Sequence, residues 1–184
     1  MKRIKEKLIK IKFFLIWDGV KRAQFLKKHK ILYSMGENCL FQSRNFPMDP
    51  KLIKLHNNVS IAANVTFVTH DAIRHVFYFK NKKRFGMHVG CIEIEDNVFI
   101  GVGSIIMPNV IIHKNSIVAA GAVVTKSVPE NSIVAGVPAK VIGKFDSLEK
   151  DREKNDSYLL NKNYDEIIEI SWNNFNINKD EKYD

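Results

Sequence analysis

Along its middle, the chain counts hydrophobic positions in sixes. Ile94, Ile100, Ile106, Ile112, Val118 and Val124 recur without a break, and a companion track two residues earlier runs through Ile92, Val98, Ser104, Val110, Ser116, Ala122 and Val128. The same pair of tracks appears upstream as Leu55, Ile61 and Phe67 with Ile53, Val59 and Val65, and "MGENCLF" at 35–41 reads as a degenerate first repeat. A period of six is neither the helical 3.6 nor simple two-residue alternation. It fits a short strand followed by a tight turn, each aliphatic residue pointing into a shared interior, with turn formers alongside as in "DNVFIG" and "KNSIVAAG". An aliphatic stripe on a helix is excluded, because a spacing of six wanders around a 3.6-residue wheel. Stacked turns of this kind make a solenoid with one continuous core. The predicted class is mainly β.

The count stops at His70, in "VTHDAIRH", and restarts only after an excursion over 71–91. Loops of that length are uncommon in compact domains unless they carry function. The excursion, "RHVFYFKNKKRFGMHVG" for most of its length, mixes aromatics with cations and suits stacking on sugar rings, an anionic acceptor, or packing against a neighbouring subunit. Outside the repeats, Ile4, Leu8, Ile11 and Leu15 recur at helical spacing among lysines, so 1–32 is expected to be a basic amphipathic helical segment. The solenoid domain is expected over 33–144, and 145–184, which lacks the rhythm, reads as a helical and loop extension.

Composition narrows the functional classes. A chain of 184 residues with 45% hydrophobic content suits one globular domain with terminal additions. Cys39 and Cys91 are too few and too scattered for a disulfide scaffold or a cysteine zinc site. The apolar run Phe13 to Trp17 is too short to be a signal peptide or to span a bilayer, which suggests a cytoplasmic setting. The net charge of +9 is concentrated at the start, where residues 1–30 hold eleven Lys and Arg against two acids. No zinc-finger spacing or basic stripe with stackable aromatics accompanies it, so a nucleic-acid partner is not expected. Two readings of 2–30 remain open: peripheral contact with anionic lipid at the inner membrane face, or a helix whose apolar side packs on the solenoid.

The segments "NVSIAANVTFVTHD" and "AGAVVTKSVPENSIVAGVPAKVIG" make the repeat region, roughly 35–144, resemble the hexapeptide-repeat acyltransferases. It is most similar to the maltose, galactoside and capsular-sugar O-acetyltransferases and the xenobiotic acetyltransferases. The resemblance implies a left-handed parallel β-helix, assembled as a homotrimer with active sites between subunits. It implies an acetyl-CoA-dependent O-acetyltransferase acting on a carbohydrate, such as a bacterial surface polysaccharide or its precursor. His70 would be the general base, because a neutral imidazole can take the hydroxyl proton at physiological pH. The backbone N–H of Val102, just after Gly101, would hold the oxyanion.

Coenzyme A would be met by Gly101, Ala120, Gly121, Thr125 and Lys126, and its phosphates by the region of Pro138, Lys140 and Lys144. Gly136-Val137-Pro138 also reads as the end of the solenoid. Acceptor contacts are expected from Asp71, Arg74, Tyr78 and Phe99, the last standing where relatives carry Trp. Asp71, Glu93 and Glu95 are candidates to orient His70, Asp71 less so because neighbours on a strand face opposite ways. Two alternatives share the fold. One is a γ-class carbonic-anhydrase-like zinc protein using His70 and His75, which would find only Ser34 where a third ligand is needed. The other is an N-acetyltransferase of amino sugars or xenobiotics. No metal is expected.

Overall fold

The computed structural model describes residues 2–180, with side chains described from 7 to 177. It falls into two compact units, residues 1–145 and 146–184. The first begins with helices α1 (Lys2–Leu15) and α2 (Gly19–Lys28). Strands β1 (Ser34–Met35), β2 (Leu40–Phe41), β3 (Ile53–Leu55), β4 (Val59–Ile61) and β5 (Thr66–Phe67) follow. After helix α3 (Ile73–Asn81) come β6 (Ile92–Ile94), β7 (Val98–Ile100), β8 (Ile105–Ile106), β9 (Val110–Ile112), β10 (Ser116–Val118) and β11 (Val123–Val124). Strands β12 (Ser132–Ala135) and β13 (Lys140–Gly143) complete the unit.

The strands form three faces of a solenoid. One sheet has the order β1-β3-β6-β9, a second β13-β12-β10-β7-β4-β2, and the third β11-β8-β5. All pairings are parallel except the closing one, β12 with β13. Ile94 stands over Ile112, one coil of 18 residues on, and His113 bonds Glu95 across the same 18. Across the excursion Leu55 pairs with Ile94, and Lys54 bonds Glu93 at a separation of 39, so the excursion adds 21 residues to one coil without disturbing register.

Both sixfold tracks point inward. Leu55, Ile61, Ile94, Ile100, Ile106, Ile112, Val118 and Val124 are buried, and so is the companion track from Ile92 to Val128. Its polar members are satisfied: Ser104 Oγ donates to Ala119 O at 3.0 Å and Ser116 Oγ to Pro129 O at 3.0 Å. The turns rely on asparagine. Asn58, Asn97 and Asn115 take left-handed φ of 56°, 58° and 53°, which asparagine tolerates better than other side-chain-bearing residues. They stack with amide bonds of 2.8 and 2.9 Å.

The N-terminal helices close one end. Phe13 is fully buried among Phe25, Phe41 and Phe46, with Ile9 and Ile16 half-buried on the same side. This corrects the predicted stripe. Leu8, Ile11 and Leu15 are exposed, and the side chain of Ile4 lies outside the described residues. The aromatic pocket above β2 accepts a ring, so Phe13 decides which side of α1 turns inward. Arg22, also buried, donates from Nη1 to the carbonyls of Phe41 (2.9 Å) and Gln42 (2.6 Å) and from Nη2 to that of Ile16. It thereby caps carbonyls on the first coil that no earlier strand can reach. Burial lowers its pKa from the ordinary value, with Arg44 acting the same way, yet a guanidinium stays charged.

At the other end, the Gly136–Ala139 turn covers edge strand β11. Val123 N–H bonds Gly136 O at 3.0 Å and Ala139 N–H bonds Val123 O at 2.8 Å. In the second unit, α4 (Phe145–Asp156) leads through a 3-10 turn to α5 (Tyr164–Asp180). Asn163 and Glu166 form a reciprocal capping box at the start of α5, with bonds of 2.8 and 3.0 Å.

Candidate active site

His70 ends the third face of its coil, just after β5, and its backbone forms an antiparallel bridge with Val89, where the excursion returns. Gly90 N–H closes the neck on Thr69 O at 2.8 Å. The excursion is less irregular than predicted, since residues 73–81 form α3. Asp71 starts that helix: its Oδ1 accepts from Ile73 N–H at 2.9 Å. From Ala72 to Val89 every residue is exposed.

The partner of His70 comes from elsewhere. His70 Nδ1 lies 2.5 Å from Asp49 Oδ2, and the same oxygen accepts from Thr69 Oγ1 at 2.8 Å. This corrects the expected orienting groups. Asp71 is occupied at the helix start. Glu93 binds Lys54 and His56, each at 2.7 Å, and Glu95 binds His113 at 3.2 Å. Asp49 sits at the start of the 3-10 turn Pro50–Leu52, in a loop without repeat rhythm, and only the folded coil brings it to His70. Its pKa is lowered, chiefly by the Thr69 bond and then by the His70 bond, with partial burial opposing.

An ionised carboxylate can only accept, so Nδ1 carries the hydrogen. Nε2 is left with its lone pair, and the bond at Nδ1 fixes the orientation of the ring. Thr69 is buried, and the His70 side chain retains 29% exposure.

The other expected residues occupy two places. Asp71 and Arg74 line a cavity of about 380 Å³ together with Phe77, Phe85 and His88, beside the excursion's neck. Tyr78 is not among its lining residues and packs edge-on against Phe79, while Phe99 projects from the outer face of β7. The second place is a corner of small residues between the six- and three-stranded faces. Here Ala62–Ala63, Gly101–Gly103 and Ala119–Gly121 stack coil upon coil: Gly103 N–H bonds Ala63 O and Gly121 N–H bonds Val102 O, at 3.0 and 2.8 Å. A Cβ on Gly101 would lie 2.5 Å from Ala120 N, so its lack of a side chain lets the coils close. Val102 is exposed at this corner, and its N–H makes no hydrogen bond among the described residues. Thr125, Lys126, Pro138, Lys140 and Lys144 are all exposed toward the β13 end. Among the described residues no group of three or more His, Cys, Asp or Glu side chains is placed to hold a metal ion.

The family description "Bacterial transferase hexapeptide (six repeats)" matches residues 92–126. Protein CapG of Staphylococcus aureus is 38% identical over 156 residues, covering 83% of this chain and 90% of that protein. The chain belongs to the hexapeptide-repeat acyltransferases. Galactoside O-acetyltransferase of Escherichia coli K12 is 35% identical over 127 residues, 65% of this chain and 61% of the enzyme. Among solved structures, a galactoside acetyltransferase in complex with coenzyme A superposes with a TM-score of 0.58 at 26% identity, covering 81% of this chain and 83% of the other. A maltose O-acetyltransferase from Clostridium difficile 630 superposes at 0.56 and 27%, covering 75% and 83%. For the three-faced coil described above, membership of the family implies a left-handed β-helix.

Proposed function

We propose that the protein is an acetyl-CoA-dependent O-acetyltransferase whose acceptor is a carbohydrate hydroxyl. The observation that carries this reading is the Asp49–His70 pair at the mouth of the excursion, a tautomer-fixed imidazole followed in the chain by Asp71, which lines a cavity with Arg74, Phe77, Phe85 and His88. Aromatic rings suit sugar faces, and Arg74 suits a hydroxylated or anionic acceptor. The likeness to galactoside and maltose O-acetyltransferases, one of them solved with coenzyme A, supports both substrates.

The chemistry needs few groups. Nε2 of His70 takes the acceptor proton as the oxygen attacks the thioester carbon, while Asp49 steadies the imidazolium. The tetrahedral oxyanion accepts the unused N–H of Val102. Collapse breaks the carbon–sulfur bond, and the imidazolium returns its proton to the departing coenzyme A sulfur. The small-residue corner leaves room for the pantetheine arm beside Ala120 and Gly121. Thr125, Lys126, Lys140 and Lys144, with Pro138 in the same turn, would face its phosphate end.

His70 and Val102 leave different corners of successive coils, on either side of the three-stranded face. That separation supports a homotrimer in which the corner of one copy meets the His70 of the next, the exposed α3 reaching across. Domain limits of 1–32, 33–144 and 145–184 fit this arrangement as end cap, catalytic coil and extension. The test is coenzyme A thiol release from acetyl-CoA against a panel of sugars, nucleotide-sugars and polysaccharides, with O-acetylated product identified by mass spectrometry. Release with amines only would replace the O-acetyl reading by N-acetylation. Release with no acceptor of either kind would remove it.

A further inference from the structure

The structure resolves α1 into two apolar sides rather than one. Ile9, Phe13 and Ile16 face the solenoid. Leu8, Ile11 and Leu15 face away, within an arc of about 60° at 100° per residue. All three are at least half exposed, and Trp17, at the turn into α2, is 82% exposed. On the wheel, Lys7 and Lys12 bracket this outer arc, each about 40° beyond its edge. The whole helix carries six Lys and Arg against the single acid Glu6. Arg44 stacks on Trp17 at 3.8 Å and approaches Phe14 at 5.6 Å, adding a cation at the same level.

A helix that only capped the solenoid would need the inner side alone. The outer one combines exposed aliphatics, a tryptophan and flanking cations whose stems can lie along lipid while their heads meet phosphate. We propose that the outer face of α1, with Trp17 and Arg44, docks the enzyme on an anionic lipid surface. Charge decides between occupants. A second copy would bring an equally cationic helix against this one, whereas an anionic headgroup layer neutralises it. Arg44 and Asp49 lie in one loop, five residues apart, which spans at most about 18 Å. Docking therefore holds the Asp49–His70 pair close to the headgroups, where a lipid-linked glycan would be presented. That last step rests on the carbohydrate reading; the docking itself does not.

The test uses the full chain carrying Trp172→Phe, so that Trp17 alone reports by fluorescence. Vesicles of phosphatidylglycerol and phosphatidylcholine should shift its emission to the blue at low salt, with binding that fades as salt rises. Vesicles of phosphatidylcholine alone should do so far less. Ile11→Glu with Leu15→Glu should weaken binding at least about tenfold without lowering Tm, since both side chains are solvent-facing. Lys7→Gln with Lys12→Gln, which introduces no charge into the apolar arc, should also weaken it, by on the order of tenfold or more. A wild-type protein that neither shifts nor sediments with anionic vesicles overturns the proposal. So does equal binding to both vesicle types, or a smaller assembly for Ile11→Glu/Leu15→Glu from a wild type that ignores lipid, which would mean that another copy covers the face.

Discussion

Asp49 precedes His70 by 21 residues in a stretch, "NFPMDP", that carries no period and only a turn signal in Asp-Pro. Its pairing with the imidazole is a contact between two departures from the repeat, so no spacing rule could locate it. The place of His70 beside a long excursion is legible in the repeat, while its proposed role as base comes from the family resemblance. Asp49→Asn should lower kcat at least about tenfold with KM for acetyl-CoA and Tm nearly unchanged. The amide can turn its NH2 toward Nδ1 and favour the wrong tautomer. The loss should stay below the roughly 10,000-fold known for a fully buried triad carboxylate, because Asp49 is partly exposed.

Glu93, lowered by its bond from Lys54 and then by His56, and Asp96, lowered chiefly by the N–H of Asn57, titrate below the ordinary carboxylate range, as does Asp49. A carboxylate with a depressed folded-state pKa contributes stability that is full above its unfolded pKa, about 4, and is lost as pH falls through the folded value. Tm should therefore hold from neutral pH to about 4 and then decline. Glu93→Gln should make that acid decline shallower.

Among the elements, the coils were the most legible. Six-residue spacing is a direct readout of side chains that must all enter one interior, and register 18 then follows from three faces per coil. The helical ends were less so. The lysine-rich α1 offers two apolar arcs to any periodicity argument, and only the ring pocket formed by Phe25, Phe41 and Phe46 selects Phe13. Close coil packing makes Gly101→Ala a clean test of the corner. The new methyl would meet backbone rather than a movable side chain, and overpacking should destabilise by about 1–3 kcal/mol in chemical denaturation. Arg22→Ala should destabilise by at least about 2 kcal/mol, since it strands several buried carbonyls of the first coil.

For the whole molecule, we propose a trimeric enzyme with cofactor corner and base supplied by adjacent copies. Analytical sedimentation should give a homotrimer, and an active monomer would contradict the shared site. Lys140→Gln with Lys144→Gln should raise KM for acetyl-CoA with little change in kcat and flatten its salt dependence, as uniform binding of phosphates requires. The most direct measurement is steady-state acetyl transfer by His70→Ala beside wild type, with an accepted carbohydrate and with Tm and acetyl-CoA affinity recorded on the same samples. Loss of the base should reduce kcat by on the order of 100- to 10,000-fold while both controls stay level. A variant that folds, binds acetyl-CoA and turns over within threefold of wild type would contradict the account.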